Sequence, residues 1–324
     1  MSSPTATARA AGAPAAAPAR RSGPSARAAR PGRRRSSLAG LWFVLPFAAL
    51  FAVFLVWPVL AGLWASFTDR SLASPGAEFV GLANWREMLG DSAVWQSLWT
   101  TLVFTAISTP PLVAIALAMA LLTNRAAAGL GWFLRLSYFA PFLLPVAVVA
   151  LIWEWMYQPG FGMVNGLLTA AGLAEVAWLT DENTVLAAIA ITTVWWTVGF
   201  NFLLYLAALQ GIPAYVYEAA ALDGAGAWQR FLRITLPLLR RTTGLIVLLQ
   251  IVASLKLFDQ AYIMTNGSGG PGYAARPAIG YIFEAGFTGL RIGYASAISY
   301  LLFAVIAVVS LVQFRLFSRK GETA

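Results

Sequence analysis

Apolar positions gather in six runs along the chain. They lie at about Leu41–Phe67, Leu98–Thr123, Leu136–Tyr157, Val185–Leu209, Gly244–Met264 and Ala295–Phe314. Each is close to the ~20 residues that cross the hydrocarbon core of a bilayer as a helix. The pattern predicts an all-α integral membrane fold with six transmembrane helices. Interruptions are few: Pro110-Pro111 in the second run, Pro141, Pro145 and Glu154 in the third, Lys256 and Asp259 in the fifth.

Composition agrees with the pattern. Apolar residues make up 59% of the chain and charged residues only 11%, against roughly a quarter charged in a soluble domain. There is no cysteine and no histidine. That removes disulfides, thiol nucleophiles, Cys/His metal sites and imidazole acid–base chemistry together. No tight group of acids lies inside an apolar run, so the expectation is no enzyme activity, no metal and no cofactor.

The net charge of +9 does not point to nucleic acid, because of where the charge sits. Eight arginines fall in the first 35 residues, among Ala, Pro, Ser, Gly and Thr. Residues 1–37 read as a disordered cytoplasmic tail that cannot bury a core. The run starting at Leu41 is too long for the apolar part of a signal peptide. A six-helix domain is expected over 38–318, followed by a short C-terminal tail at 319–324.

Charge also orients the spans. With both termini inside, the inner segments carry the tail arginines, Arg125, Arg135, Arg230, Arg233, Arg240, Arg241, Arg315, Arg319 and Lys320. The outer segments carry Arg70, Arg86, Arg276 and Arg291. Basic residues favour the cytoplasmic side, so both termini are expected there. The segment 211–241 is then a cytoplasmic loop.

That loop has a helical grammar of its own. Pro213 suits a first helical position. Ala214–Leu222 are good helix formers, and the alanines after Glu218 leave the backbone open to a close neighbour. Gly224 suits a left-handed stop. A second helical run is expected from Ala227 to Ile234, with Phe231 and Ile234 on one face, before Pro237 breaks the pattern. The product is a hairpin with Glu218 on one arm and Arg230 and Arg233 on the other. Two plainer readings stand beside it: an amphipathic loop lying in the interface, and an ion pair of Glu218 with an arginine of its own loop.

These residues resemble a known family. Glu218-Ala219-Ala220, Asp223-Gly224-Ala225, Phe231, Ile234 and Leu236-Pro237 are similar to the EAA signature of permease subunits in bacterial binding-protein-dependent ABC importers. Phe258-Asp259, Met264-Thr265, Gly269-Gly270-Pro271 and Gly293-Tyr294-Ala295-Ser296-Ala297 look like its sugar-permease branch, the lactose, maltose and glycerol-3-phosphate type. The similarity covers about Leu41 to Phe314, with the signature-bearing core over about 98–314. The chain lacks the large outer-loop insertion of the maltose-type member.

The resemblance implies the ABC importer type I permease fold in the bacterial inner membrane. It implies that Glu218, Ala219, Ala220, Asp223, Gly224, Phe231, Ile234, Leu236 and Pro237 form a coupling element docking on a separate cytoplasmic ATPase. It also implies a second EAA-bearing permease subunit and an extracytoplasmic solute-binding protein. The chain has no Gly-x-x-x-x-Gly-Lys-Ser/Thr phosphate loop, so ATP would be hydrolysed on the partner.

Candidate path residues come from the spans. Ionisable groups within a bilayer usually face a cavity or a partner. Glu154, Lys256 and Asp259 qualify, although Lys256 and Asp259, three apart, would pair on a continuous helix. Gln250, Ser254 and Phe258 share a helical face at fourfold spacing. Trp195, Trp196, Asn201 and Tyr205 add rings and an amide, which suit a sugar's apolar faces and hydroxyl rim. Aromatic residues in spans also serve as packing or interface anchors. The cargo reads as a sugar, with a polyol or glycerol phosphate as the alternative. An ion-coupled secondary transporter is the reading from another class, and it gives the EAA segment no task.

Overall fold

The computed structural model describes residues 39–318; the tails expected at 1–37 and 319–324 lie outside the described residues. The chain divides into two compact units, Met1–Leu55 and Val56–Ala324. The described part of the first is α1 (Ala39–Phe51), which carries Pro46, and the start of a π-helical turn at Ala52–Val56.

The second unit is helical. It runs through α2 (Trp57–Ala65), α3 (Ala83–Gly90), α4 (Ser92–Asn124), α5 (Ala128–Phe139) and α6 (Val146–Met156). Next come α7 (Met163–Ala170), α8 (Val185–Gln210), α9 (Ala214–Leu222), α10 (Ala227–Arg230) and α11 (Leu236–Leu238). The described residues close with α12 (Arg240–Leu255), α13 (Asp259–Met264), α14 (Ala278–Phe283) and α15 (Ile292–Ser318). Among the described residues the one extended pairing is the isolated bridge between Thr68 and Phe79.

Among the described residues four helices are long and apolar enough to cross a membrane: Phe43–Ala65, Ser92–Asn124, Val185–Gln210 and Ile292–Arg315. Two further stretches pass the same test only as bent pairs, Gly129–Leu143 with Val146–Met156 at 96° and Ala227–Leu238 with Arg240–Leu255 at 62°, which makes six if each pair crosses as one span. The expected single helix over Leu136–Tyr157 is therefore corrected. Pro141 starts a 3₁₀ turn at Ala140–Leu143, and Pro145, which has no N–H to donate, stands ahead of α6. Pro110-Pro111, by contrast, sit inside an unbroken α4.

The expected fifth span also needs correction. The helix α12 stops at Leu255, and Phe258 has a non-helical backbone (φ −152°, ψ −69°) before α13 begins. Phe258 therefore does not continue the face of Gln250 and Ser254. Lys256 and Asp259 are both exposed, and neither pairs with the other among the described residues.

Three apolar clusters hold the second unit together. One joins Val149 and Trp153 of α6 to Ile189 of α8 and Met264 of α13. A second joins Ala116 and Ala120 of α4 to Phe202, Tyr205 and Leu209 of α8 and Ile246 of α12. The third joins Met88 of α3, Leu98 of α4 and Ala278 of α14 to Ile298 and Leu302 of α15. The bend between α5 and α6 seats on α8 at Gly199. A Cβ there would run into the Tyr138 carbonyl group, so only glycine lets the backbones meet. The Trp196 indole pins the same bend by donating to the Leu144 carbonyl at 3.1 Å.

Candidate functional site

The segment Pro213–Leu239 is a helical hairpin. Pro213 stands just ahead of α9 as its cap, one place earlier than expected. The arm ends in a two-bond C-terminal motif: Ala225 N–H donates to Ala220 C=O at 2.9 Å, and Gly224 N–H to Ala221 C=O at 3.1 Å. Gly224 takes φ +77°, the left-handed conformation this motif needs. The elbow is therefore set by backbone geometry.

The second arm departs from the expected α-helix over Ala227–Ile234. Only Ala227–Arg230 is α-helical; Phe231–Thr235 form a π-helical turn, and Pro237 lies inside α11, with the bend just after it. Phe231 and Ile234 are half-buried. The Tyr217 and Thr235 hydroxyls share a 3.0 Å hydrogen bond that ties the arms together.

The hairpin's outer surface is bare. Glu218, Ala219, Asp223 and Gly224 are exposed, and so are Tyr215, Leu222 at 90% and Trp228 at 69%. Glu218 makes no ion pair or hydrogen bond through its side chain among the described residues. The intraloop pair with Arg230 or Arg233 is thus not formed. Between the hairpin and the end of α4, Asn124, Arg125, Tyr217, Trp228 and Arg230 help line an open cavity of about 830 Å³.

Of the candidate path residues, two come together. Gln250 Nε2 donates to Ser254 Oγ at 3.2 Å, and Ser254 Oγ meets Ser108 Oγ of α4 at 3.3 Å. All are buried. Ser108 was missed in the sequence, yet a helical ladder of hydroxyls, Ser97, Thr101, Thr105 and Ser108, marks that face of an apolar run. A second buried pair, Thr193 Oγ1 donating to Gln260 Oε1 at 2.7 Å, was also missed.

The other candidates stay apart from this cluster. Asn201 is buried but bonds only to Thr197 C=O of its own helix, at 3.3 Å. Trp195 packs edge-on to Trp153 at 5.5 Å, and Trp196 lies 6.4 Å from Phe142. Tyr205 donates to Thr243 Oγ1 at 3.1 Å. Glu154 accepts from the Asn266 amide at 3.1 Å.

A polar network occupies the end opposite the hairpin. Asp91 caps α4 by accepting from Ala93 N–H at 2.8 Å. Its other oxygen accepts from the hydroxyls of Tyr281 and Tyr294. Burial pushes the Asp91 carboxyl up, but the two phenols, the Ala93 N–H and the charge of Arg276 outweigh it and hold the group below its ordinary value. Burial first, and the Asp91 carboxylate second, push the Tyr281 hydroxyl up to about 12. Close by, Arg291 grips Glu87 through both carboxylate oxygens at 2.7 and 2.6 Å. That contact raises its own pKa.

Residues 88–321 match the family described as "Binding-protein-dependent transport system inner membrane component". The chain belongs to this family. Its relatives include the sulfoquinovosyl glycerol transport system permease protein SmoG of Agrobacterium fabrum, 35% identical over 87% of this chain and 91% of that protein. The trehalose/maltose transport system permease protein MalF of Thermococcus litoralis is 34% identical over 86% of this chain and 93% of that protein. The lactose transport system permease protein LacF of Rhizobium radiobacter is 31% identical over 87% and 95%.

A solved structure of a bacterial alginate ABC transporter, in complex with an alginate pentasaccharide-bound periplasmic protein, contains a chain of the same fold. Its TM-score is 0.77 at 22% identity, covering 88% of this chain and 96% of that one. The fold is that of ABC importer permeases, and the protein is a multi-pass inner-membrane permease of the sugar branch. Its relatives are transport permeases, not enzymes.

Proposed function

We propose that this chain is one of two permease subunits of an ATP-driven sugar importer. Its α9–α10 hairpin docks on a separate cytoplasmic ATPase, and an extracytoplasmic solute-binding protein delivers the cargo. The observation that carries this reading is the hairpin surface. It combines a fixed elbow at Gly224, an unpaired Glu218 and exposed Tyr215, Leu222 and Trp228. Large exposed apolar side chains rimmed by charge mark a surface that another protein covers.

The mechanism follows from the linkage. The hairpin is tied internally by the Tyr217–Thr235 bond and continues through Leu239 into α12. A displacement of the hairpin therefore reaches the helix that carries Gln250 and Ser254. Two arrangements of such a unit, each favoured by a different state of the ATPase, give alternating access to the polar path. In this reading both chain ends and the hairpin face the cytoplasm, in keeping with the excess of basic residues on that side.

The test is uptake of radiolabelled sugar in cells carrying the chain with its neighbouring ATPase and binding-protein genes. The expected result is uptake that stops when the ATPase is deleted and survives an ionophore. Glu218→Lys should release the chain from the ATPase in co-purification and abolish uptake. Uptake that collapses with the ionophore and survives ATPase deletion would establish an ion-coupled carrier instead.

A further inference from the structure

At the end opposite the hairpin, α13, the glycine-rich segment after it and α14 enclose a cavity of about 340 Å³. Three rings line it, Phe258, Tyr262 and Phe283, with centroids 5.3, 5.4 and 5.5 Å apart and planes inclined by 38°, 42° and 72°. They form an angled apolar wall, not a closed stack. Phe283 is also stacked on Phe287 at 5.2 Å and 26°, which backs the wall on that side.

Arg276 and Glu284 line the same cavity, joined at 2.9 Å. The Arg276 side chain is only 9% exposed, while that of Glu284 is 46% exposed. The guanidinium lies 4.1 Å from the Tyr273 ring centre and 4.7 Å from that of Tyr281. Its Nε is buried and finds no hydrogen-bond partner among the described residues. Gly269 makes room for it: a Cβ there would come within 2.8 Å of Arg276 Cβ. The cation is thus held in a built socket, with its carboxylate partner at the opening.

We propose that this cavity is a carbohydrate subsite, distinct from the Ser108–Gln250–Ser254 cluster, that takes one uncharged sugar ring. Aromatic walls suit the C–H faces of a pyranose, and an adjacent donor and acceptor suit two neighbouring hydroxyls. Because Arg276 is already neutralised by Glu284, an acidic sugar gains little there. The volume lies at the small end of the roughly 300–1,000 Å³ usual for ligand pockets, which fits one ring better than a longer chain. The proposal takes the class of cargo from the sugar-import reading but not its energy source.

The test is saturation-transfer difference NMR on the full chain in lipid nanodiscs, without ATPase. The probes are glucose, galactose, xylose, maltose, lactose, trehalose and glucuronate. At least one neutral sugar should receive saturation at its ring C–H protons. Phe283→Ala should weaken that binding about tenfold, as loss of an aromatic wall does; Phe258→Leu, which keeps apolar volume, should act in the same direction without lowering the melting temperature. Ser254→Ala should spare the part of the signal that Phe258→Leu removes, and Glu284→Gln should shift preference toward glucuronate.

The proposal is overturned if no neutral sugar binds at tens of millimolar, or if glucuronate binds the wild type best. It also falls if Ser254→Ala removes the signal while Phe258→Leu spares it, which would put the sugar in the central cluster. Because no ATPase is present, these outcomes stand apart from the uptake test of the import reading.

Discussion

Tyr294 donates its hydroxyl to Asp91 Oδ2 at 2.6 Å, joining the first turn of α15 to the residue that caps α4. The same oxygen takes the Tyr281 hydroxyl, so one carboxylate ties three helices at one end of the molecule. Asp91→Ala removes the cap and both phenol contacts at once. Loss of the cap alone costs about 0.5–2 kcal/mol, and a lower melting temperature in detergent is the expected outcome.

Asp91 also sets an acid limit. Its folded pKa lies below the ordinary 3.8, so the stability it contributes is fully present above that value. It is lost as pH falls through the lower folded value. Thermal unfolding should therefore show no Asp91-dependent change from neutral pH down to about pH 5, and a loss below 3.8. Asp91→Asn should keep the cap and remove this component of the acid loss.

Gly199 and Gly224 make opposite predictions from the same residue type. At Gly199 a side chain would collide with the backbone of Tyr138 and Phe139. Gly199→Ala should destabilise the packing of α5 on α8 by about 1–3 kcal/mol or more, as overpacking does. At Gly224 a Cβ would meet nothing within 4 Å, and only φ +77° resists a side chain. Gly224→Ala should cost ~1–2 kcal/mol locally, leave the melting temperature of the spans near wild type, and lower ATPase stimulation by the assembled transporter.

Four long apolar helices and the glycine elbow of the hairpin were legible because both depend on neighbours in sequence. An apolar run of sufficient length and a glycine stop after Leu222 are local facts, and the structure places those four helices and the elbow there. The sharp turn between α5 and α6 was not, since Pro110-Pro111 stay within a helix while Pro141 and Pro145 accompany a 96° bend. What differs is tertiary: Gly199 and Trp196 of α8 seat that bend. Phe258 was put on the face of Gln250 by counting in fours, which holds only while the helix continues. Asp91, Tyr281 and Tyr294 are far apart in sequence, and no local pattern brings them together.

The buried pair Thr193–Gln260 separates a structural role from a transport role. Thr193 Oγ1 donates to Gln260 Oε1 at 2.7 Å, while Gln260 Nε2 has no partner among the described residues. Thr193→Val keeps the side-chain shape and leaves a buried amide oxygen unsatisfied, at a cost of about 1–3 kcal/mol. The melting temperature should fall accordingly. Ser254→Ala, within the Ser108–Gln250 cluster, removes two long contacts, the 3.3 Å one with Ser108 and the 3.2 Å one from Gln250 Nε2. It should lower the melting temperature less than Thr193→Val does, its contacts being longer, while altering the rate or selectivity of sugar uptake. If Ser254→Ala instead lowers the melting temperature as much as Thr193→Val and spares uptake, the Ser108–Ser254 contact is packing and the path runs elsewhere.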